Sequence, residues 1–175
     1  MNHSESRTLP QVHLRAMEPE DLDMLYAMEN DDSVWAVGNT SVPYSRYVLH
    51  DYIANASNDI YVDGQVRLII ESASGDAVGM IDLSNFSAAH RRAELSIVVR
   101  TDCRGRGYAL AAVERLADHC KRILHMHQIY AIVEAGNHAS LAMLSQAGFT
   151  AGQELHDWLF DGTDYKDAQL MQYFL

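Results

Sequence analysis

The chain has 175 residues, of which 48% are hydrophobic and 21% charged, as in an ordinary globular protein that can bury a sizeable core. Its formal net charge of -11 at pH 7 argues against a nucleic acid or an anionic membrane surface as partner. The two cysteines make neither a disulfide framework nor a metal-ligand spacing, and no apolar run approaches the roughly 20 residues of a membrane span. We therefore expect a single domain over residues 1–175, in the cytoplasm.

The first half of the chain predicts one strand, two helices and three more strands. Residues 11–17 alternate apolar and polar side chains, as a half-buried strand does. Residues 18–30 carry a proline at a helix start and acids in the first turn, and residues 44–56 follow another proline, so both segments are predicted to be helices. Apolar stretches separated by turn signals then predict strands over 66–72, 77–86 and 92–100.

The second half predicts a helix, a strand, a helix and a terminal hairpin. Apolar residues recur at intervals of three and four over residues 108–124, which is typical of an amphipathic helix. A buried strand is expected over 128–136 and a short helix over 137–149, ending at Gly148. The order of elements predicts a mixed α/β fold.

The segment CRGRGYA, residues 103–109, lies where a strand ends and the long helix begins. Such a loop presents unpaired amide N–H groups and the positive end of a helix dipole, and glycine lets an anion approach them closely. A dinucleotide-binding fingerprint would need a third glycine and a phosphate-binding P-loop a lysine, and both are absent. The alternatives that remain are an anion cradle and a plain turn.

These residues resemble a known family. Residues 104–109, RGRGYA, resemble the R/Q-x-x-G-x-G/A motif of the GNAT superfamily of acyl-CoA N-acyltransferases, and a second hallmark begins at Asn137 and ends at the AGF of residues 147–149. Within the superfamily the chain is most similar to the spermidine N-acetyltransferases and the RimJ/RimL-like branch. The resemblance implies a central, mostly antiparallel sheet of six to seven strands with about four helices.

The resemblance also implies acetyl-CoA as co-substrate, with no metal. The loop amides would hold the pyrophosphate of coenzyme A, and the main chain of the preceding strand would contact the pantetheine and the acetyl oxygen. The residues implied as cofactor-binding are Val98, Val99, Arg104, Gly105, Arg106, Gly107, Tyr108, Ala109, Asn137 and Ser140.

Two positions bear on catalysis. Glu94 is the only acid in a mostly apolar strand, where relatives carry a general-base glutamate; the alternative is an outward-facing residue paired with Arg91 or Arg92. Leu144 lies where many relatives carry a tyrosine acid, and leucine has no proton to donate. The sequence therefore predicts a base and leaves the acid unnamed. Cys103, beside the loop, is expected to be structural, because direct transfer needs no nucleophile.

The acceptor side is predicted from the acids of residues 18–32, a segment without lysine or arginine. The first acids suit a helix N-terminus, so those left as acceptor contacts are Glu29, Asp31 and Asp32, together with Trp35. Carboxylates beside an aromatic ring suit an ammonium group.

The sequence therefore predicts transfer of acetyl from acetyl-CoA to a primary amine, with spermidine or another small cationic amine as the leading acceptor. The alternatives are acetylation of a protein N-terminus and non-catalytic binding of acyl-CoA. The acyl-chain preference and self-association into a homo-oligomer are left open.

Overall fold

The computed structural model describes residues 8–31 and 42–175. Seven strands lie in these ranges: β1 (Val12–Ala16), β2 (Val66–Ser72), β3 (Ala77–Ser87), β4 (Arg92–Val99), β5 (Gln128–Glu134), β6 (Thr150–Phe160) and β7 (Tyr165–Phe174). The α-helices of the same ranges are α1 (Leu22–Glu29), α2 (Arg46–Asn55), α3 (Ile60–Asp63), α4 (Tyr108–Arg122) and α5 (His138–Gln146). Short 3-10 turns, Pro19–Asp21 and Thr101–Cys103, precede α1 and follow β4.

The strands form one sheet in the order β1-β2-β3-β4-β5-β7-β6. Neighbouring strands are antiparallel except β4 and β5, which run parallel and are joined by the crossover helix α4. A parallel pair requires such a long connection, whereas the antiparallel pairs β2–β3 and β6–β7 need only short turns. The crossover places the glycine-rich segment at the end of β4.

Helices cover both faces of the sheet. On one face α4 packs over a core that includes Ile70 and Ile81, and on the other α1 and α2 pack over a smaller core that includes Ile69 and Met80. Because successive residues of a strand point to opposite faces, strands covered on both sides read as continuous apolar runs. This explains the apolar runs at the centres of β2 (residues 68–70) and β3 (residues 77–81), which are flanked by Arg67 and Asp82.

Two polar contacts fix the helices on the second face. The guanidinium of Arg15 donates two hydrogen bonds to the buried carboxylate of Asp21, at 2.7 and 2.9 Å, and its Nε reaches Glu71 at 2.6 Å. The side-chain amide of Asn30 accepts from the amide of Tyr44 at 2.8 Å and donates to its oxygen at 3.1 Å. The end of α1 is thereby tied to the segment that precedes α2.

The mixed α/β fold and the seven-stranded sheet confirm the sequence-based expectation. The strand predictions agree with the structure to within a few residues, while α3 was not predicted. That helix has four residues, capped by Asp59, whose Oδ1 accepts from the amide of Tyr61 at 2.8 Å, and closed by Gly64 at φ +67°. So short a segment shows no helical periodicity. In the part of the chain described, no helix is both long and apolar enough to cross a membrane.

Candidate active site

The sheet opens into a fork between its two parallel strands. β4 pairs with β5 only from Arg92 to Glu94, where Glu94 lies beside Tyr130 of β5. From Leu95 to Val99, β4 continues to pair with β3 but has no pairing with β5 in the described residues. One edge of β4 therefore presents main-chain N–H and C=O groups to a gap that widens toward the glycine loop.

The alternation of the ladder decides which main-chain groups line this gap. The amide of Arg100 donates to the oxygen of Val78, 2.9 Å away, on the β3 side. Because the β3–β4 register continues without a shift through Val99 and Val98, the main chain of Val98 also points to β3, while those of Ile97 and Val99 point into the gap. The geometry thus favours Ile97 and Val99 over the predicted pair Val98 and Val99 for a main-chain contact with a ligand.

The glycine loop closes the wide end of the fork. Gly105 and Gly107 have φ of +73° and +90°, in the left-handed region that glycine adopts without steric cost. Gly107 is the N-cap of α4, whose N-terminal amides therefore lie at the loop. A Cβ on Gly107 would lie 3.1 Å from Cδ of Pro10, whereas one on Gly105 would meet nothing within 4 Å. The backbone conformation thus favours glycine at both positions, and at Gly107 a side chain would also crowd the Pro10 ring.

The remaining loop residues differ in exposure. Arg104 and Arg106 are exposed, and Tyr108 and Ala109 are half-buried in the first turn of α4. Arg104 also turns back on the strand, where its Nε donates to the oxygen of Val99 at 3.0 Å. The loop combines two cations with the positive end of a 15-residue helix, an arrangement that suits a phosphate group.

The second motif begins α5. Oδ1 of Asn137 accepts from the amide of Ser140 at 3.1 Å, so Asn137 is the N-cap of the helix and Ser140 lies half-buried in its first turn. This local role accounts for an asparagine at position 137. A cofactor contact of Asn137 or Ser140 stays a prediction.

Glu94 lies at the narrow end of the fork, half-buried. Its Oε2 accepts from Nδ2 of Asn85 at 2.8 Å and from the hydroxyl of Tyr130 at 3.5 Å. Neither Arg91 nor Arg92, the partners considered from the sequence, makes an ion pair with it in the described structure: Arg91 donates to the oxygen of His125. Glu94 and Val98 are four residues apart in β4, so their side chains point to the same face of the sheet. This is the face that α1 covers.

The predicted acceptor acids have separate environments. Asp31 lines a cavity of about 160 Å³ together with Val98, Val99 and Arg104, so it lies beside the fork. Glu29 instead forms an ion pair with Arg67. Asp32 and Trp35 lie outside the described residues. Of the acids earlier in the segment, Asp21 is buried against Arg15 and so presents no charge to a ligand.

Arg67 joins Glu29 to a second acid that the sequence did not single out. Its Nε and Nη2 donate to the two carboxylate oxygens of Asp82 at 2.9 and 2.7 Å. Two carboxylates share one guanidinium, which leaves this group of three residues with a net negative charge. Asp82 is the only acid in a mostly apolar strand, as Glu94 is. That isolation was the sequence signal that could have identified Asp82.

Leu144 and Cys103, which the sequence analysis placed near the catalytic positions, both lie in the core. Leu144 is 2% exposed and packs in the core that α4 covers. Cys103 is also buried, and burial, with Asp102 beside it, raises the pKa of its thiol. Both observations fit structural roles.

Glu154, His156 and Asp167 place one potential metal-ligand atom each within 4.8 Å of one another on the terminal hairpin. Glu154 and His156 are exposed, and Asp167 already accepts from the amide of Asp157 at 2.8 Å. Exposed groups of this kind are common without an ion. The expectation that the reaction uses no metal stays a prediction.

A seven-stranded mixed sheet with a β4–β5 fork and a glycine loop at a helix start defines the class: an N-acetyltransferase. The chain belongs to the GNAT acetyltransferase family, since the model described as "Acetyltransferase (GNAT) domain" matches residues 11–150.

The named relatives of the chain are also acetyltransferases. The chain is 26% identical over 161 residues to the spermidine N(1)-acetyltransferase of Vibrio cholerae, with 92% of this chain and 91% of that protein covered. It is 28% identical over 165 residues to the same enzyme of Escherichia coli K12, with 93% and 86% covered. A Pseudomonas aeruginosa L-methionine sulfoximine/L-methionine sulfone acetyltransferase is 27% identical over 154 residues, with 79% and 84% covered.

Among solved structures, the Vibrio cholerae spermidine N-acetyltransferase in complex with CoA and spermine superimposes with a TM-score of 0.83 at 25% identity, over 94% of this chain and 95% of that one. A dodecameric structure of the Vibrio cholerae enzyme gives a TM-score of 0.78 at 27% identity, with 94% of each chain covered. The fold is therefore shared along nearly the whole chain.

Proposed function

We propose that the protein transfers the acetyl group of acetyl-CoA to a primary amine of a small cationic molecule, with a polyamine such as spermidine as the leading acceptor. The observation that carries this proposal is the fork between β4 and β5, which ends at the glycine loop. The CoA held by the Vibrio cholerae relative supports the choice of cofactor.

The residues of the fork have distinct tasks. Bound acetyl-CoA supplies an acetyl thioester whose carbonyl carbon accepts a nucleophile. The loop amides and the arginines at positions 104 and 106 bind the pyrophosphate. The amide of Val99 or Ile97 donates to the acetyl oxygen and supports negative charge that develops there. The pantetheine then lies along β4 as an additional strand would, with its amides on the main-chain groups in the gap.

Glu94 accepts the proton of the amine. An ammonium ion has no free electron pair, so one proton must leave before nitrogen can attack the carbonyl carbon. The C–N bond then forms, the nitrogen loses its second proton to solvent, the C–S bond breaks with its electron pair on sulfur, and the thiolate takes a proton from solvent. Solvent serves here because Leu144, in the position of the usual tyrosine, has no proton to donate.

The preference for a cationic acceptor rests on charge. Glu94 and Asp31 lie on the face that α1 covers, and the group of Glu29, Arg67 and Asp82 on that same side has an excess of one carboxylate. The net charge of -11 also attracts cations over a longer range. A polyamine satisfies several separated carboxylates at once, which a simple monoamine does not.

An amine screen tests this function. The protein is incubated with acetyl-CoA and one acceptor at a time: spermidine, spermine, putrescine, methionine sulfone, or peptides with free N-termini. Free thiol and the mass of the acetylated product are both measured. We expect thiol release with polyamines at least tenfold faster than with the other acceptors, a ratio that corresponds to about 1.4 kcal/mol. Faster turnover of the peptides would instead support a protein N-terminal acetyltransferase.

Self-association belongs to the same proposal. The edge strand β6 is exposed along most of its length, and the tip of the hairpin carries Trp158, Phe160 and Tyr165, each more than half exposed. Exposed aromatic residues on an unpaired edge are typical of an interface. With the dodecameric structure of the Vibrio cholerae relative, this supports a homo-oligomer. Light scattering that gives the mass of one chain at micromolar concentration would contradict it.

A further inference from the structure

The carboxylate of Glu94 is held by one oxygen only. Nδ2 of Asn85 and the hydroxyl of Tyr130 both donate to Oε2, at 2.8 and 3.5 Å. In the described part of the chain, Oε1 makes no hydrogen bond or ion pair. The two donors therefore fix the rotation of the carboxylate and leave its second oxygen for another partner.

The backbone is distorted to bring Asn85 to this position. Ser84 pairs with Glu94 across β3 and β4, so the next residue of a regular strand would point to the opposite face of the sheet. The register instead shifts between Ser84 and Ser87, and Asn85 has a φ of +49°. A bulge of this kind re-aims a side chain, and asparagine adopts the left-handed region more readily than most residues that carry a side chain. Bulges are over-represented next to active sites.

Tyr130 supports the carboxylate from the opposite strand. It lies beside Glu94 in the last paired rung of β4 and β5, so both side chains share one face. Burial raises the pKa of Tyr130, and the neighbouring carboxylate raises it further. The phenol therefore stays protonated at neutral pH and donates to Oε2.

We propose that Asn85 and Tyr130 are positioning residues that hold Glu94 by Oε2 so that Oε1 receives the proton of the incoming amine. The inference rests on the proposed function, in which this proton leaves the ammonium ion before its nitrogen attacks the acetyl carbonyl carbon. Without the donors the carboxylate rotates freely, and proton transfer from a fixed amine becomes less frequent.

Substitutions that remove only the donors test the inference. Asn85→Gly removes the amide and keeps a backbone that tolerates the positive φ; its matched control is Asn58→Gly, at another asparagine with a φ of +56°. Tyr130→Phe removes one hydroxyl, and Tyr173→Phe, at a ring stacked on Phe149, is its control. We expect Asn85→Gly to lower kcat about tenfold and Tyr130→Phe about threefold, with the KM for amine and the affinity for acetyl-CoA within about twofold of wild type. Both controls should match wild type.

A double-mutant cycle separates positioning from a merely structural effect. If Asn85 acts through Glu94, then Asn85→Gly should change kcat less than about twofold in a Glu94→Gln background. Equal losses in both backgrounds, or an Asn85→Gly variant as active as Asn58→Gly, would overturn the inference while leaving the proposed function intact.

Crystal structures of Asn85→Gly and Tyr130→Phe give a readout that does not depend on turnover. We expect the Glu94 carboxylate to be rotated or in two conformers in Asn85→Gly. A carboxylate that keeps its position in both variants contradicts the inference. A rotated carboxylate in a protein that acetylates none of the amines would refute the proposed function and, with it, proton transfer to Oε1, while Asn85 and Tyr130 would still be shown to hold Glu94.

Discussion

Nε of Arg104 donates a hydrogen bond to the main-chain oxygen of Val99, 3.0 Å away, and so ties the glycine loop to the last residue of β4. The two segments predicted to contact acetyl-CoA, the strand edge and the loop, are thereby held as one unit. The bond occupies the Val99 oxygen and leaves its amide for an acetyl or pantetheine oxygen. The loop can then be tested at a residue that does not disturb this link.

Gly105→Ala should weaken binding of coenzyme A by about tenfold, because alanine disfavours the left-handed conformation by roughly 1–2 kcal/mol and so shifts the loop amides away from the pyrophosphate. Gly75→Ala is a matched control: Gly75 has φ +86°, and its added Cβ, like that of Gly105, would meet nothing within 4 Å. Calorimetry measures both affinities. Equal affinities in the two variants would show that the loop does not bind the cofactor.

A valine at position 107 is a poorer test of cofactor binding by the loop than Gly105→Ala. The structure shows that a Cβ there would meet the Pro10 ring at 3.1 Å. Such a variant disturbs the packing of the segment before β1 as well as the loop. A lost affinity would therefore not distinguish the cradle from the fold.

Glu94→Gln should lower kcat at pH 7 by about 10²-fold, which is the usual loss when a general base is removed. Activity should recover in part at high pH, where more of the acceptor is already free amine. Thiol release across pH 6–10 measures this, with Glu114→Gln, on the exposed face of α4, as control. A Glu94→Gln enzyme as fast as wild type at pH 7 would make Glu94 a structural residue of β4.

Leu144→Tyr should not supply the missing acid. Leu144 is 2% exposed, and a larger side chain there overpacks the core. We expect a loss of about 1–3 kcal/mol in the free energy of unfolding by urea, against less than about 1.5 kcal/mol for the volume-conserving Leu144→Met. Faster thiol release by a Leu144→Tyr protein of wild-type stability would contradict this.

The fold was predictable because its signals are local. The apolar runs of the strands and the 3.6-residue period of α4 identify both covered faces of the sheet, and the glycines of residues 103–109 identify the loop. The partner of Glu94 was not predictable. It depends on a bulge that turns Asn85 back toward β4, and a shift in register leaves no mark on hydrophobic periodicity.

The environments of the predicted acceptor acids were not predictable from the sequence either. Glu29 reads as a free acid in a segment without basic residues, yet Arg67, 38 positions away in the chain, neutralises it. Val98 and Val99 read as equivalent, and only the pairing with β3 distinguishes the directions of their main chains. Contacts between residues distant in the chain determine both the ion pair of Glu29 and the main-chain directions of Val98 and Val99.

Both cysteines should be inert in the folded protein. Burial raises the pKa of Cys120 to about 12 and, with Asp102 beside it, also raises that of Cys103, so little reactive thiolate exists at neutral pH. We expect no reaction with Ellman's reagent at pH 8 within the time of an activity assay, and two thiols per chain after unfolding in guanidinium. A native thiol that reacts within a minute would contradict the burial of Cys103.

The contact between Asp21 and Arg15 should make stability depend on pH in the acid range. Burial alone would raise the pKa of Asp21, but the hydrogen bonds from Arg15 and from the amide of Glu18 outweigh it, and the pKa lies below its usual 3.8. A carboxyl with a lowered folded-state pKa stabilises the protein above the unfolded-state value and loses that effect as the pH falls through the folded-state value.

Asp21→Asn should therefore cost about 2 kcal/mol of unfolding free energy at pH 7, the usual loss for a hydrogen bond to a charged group. The difference from wild type should stay constant down to about pH 5 and narrow below the unfolded-state pKa of about 3.9. Urea denaturation at several pH values measures it, with Asp51→Asn, at an exposed position of α2, as control. A difference that does not change between pH 7 and pH 2 would mean that Asp21 stabilises the turn before α1 by shape and not by charge.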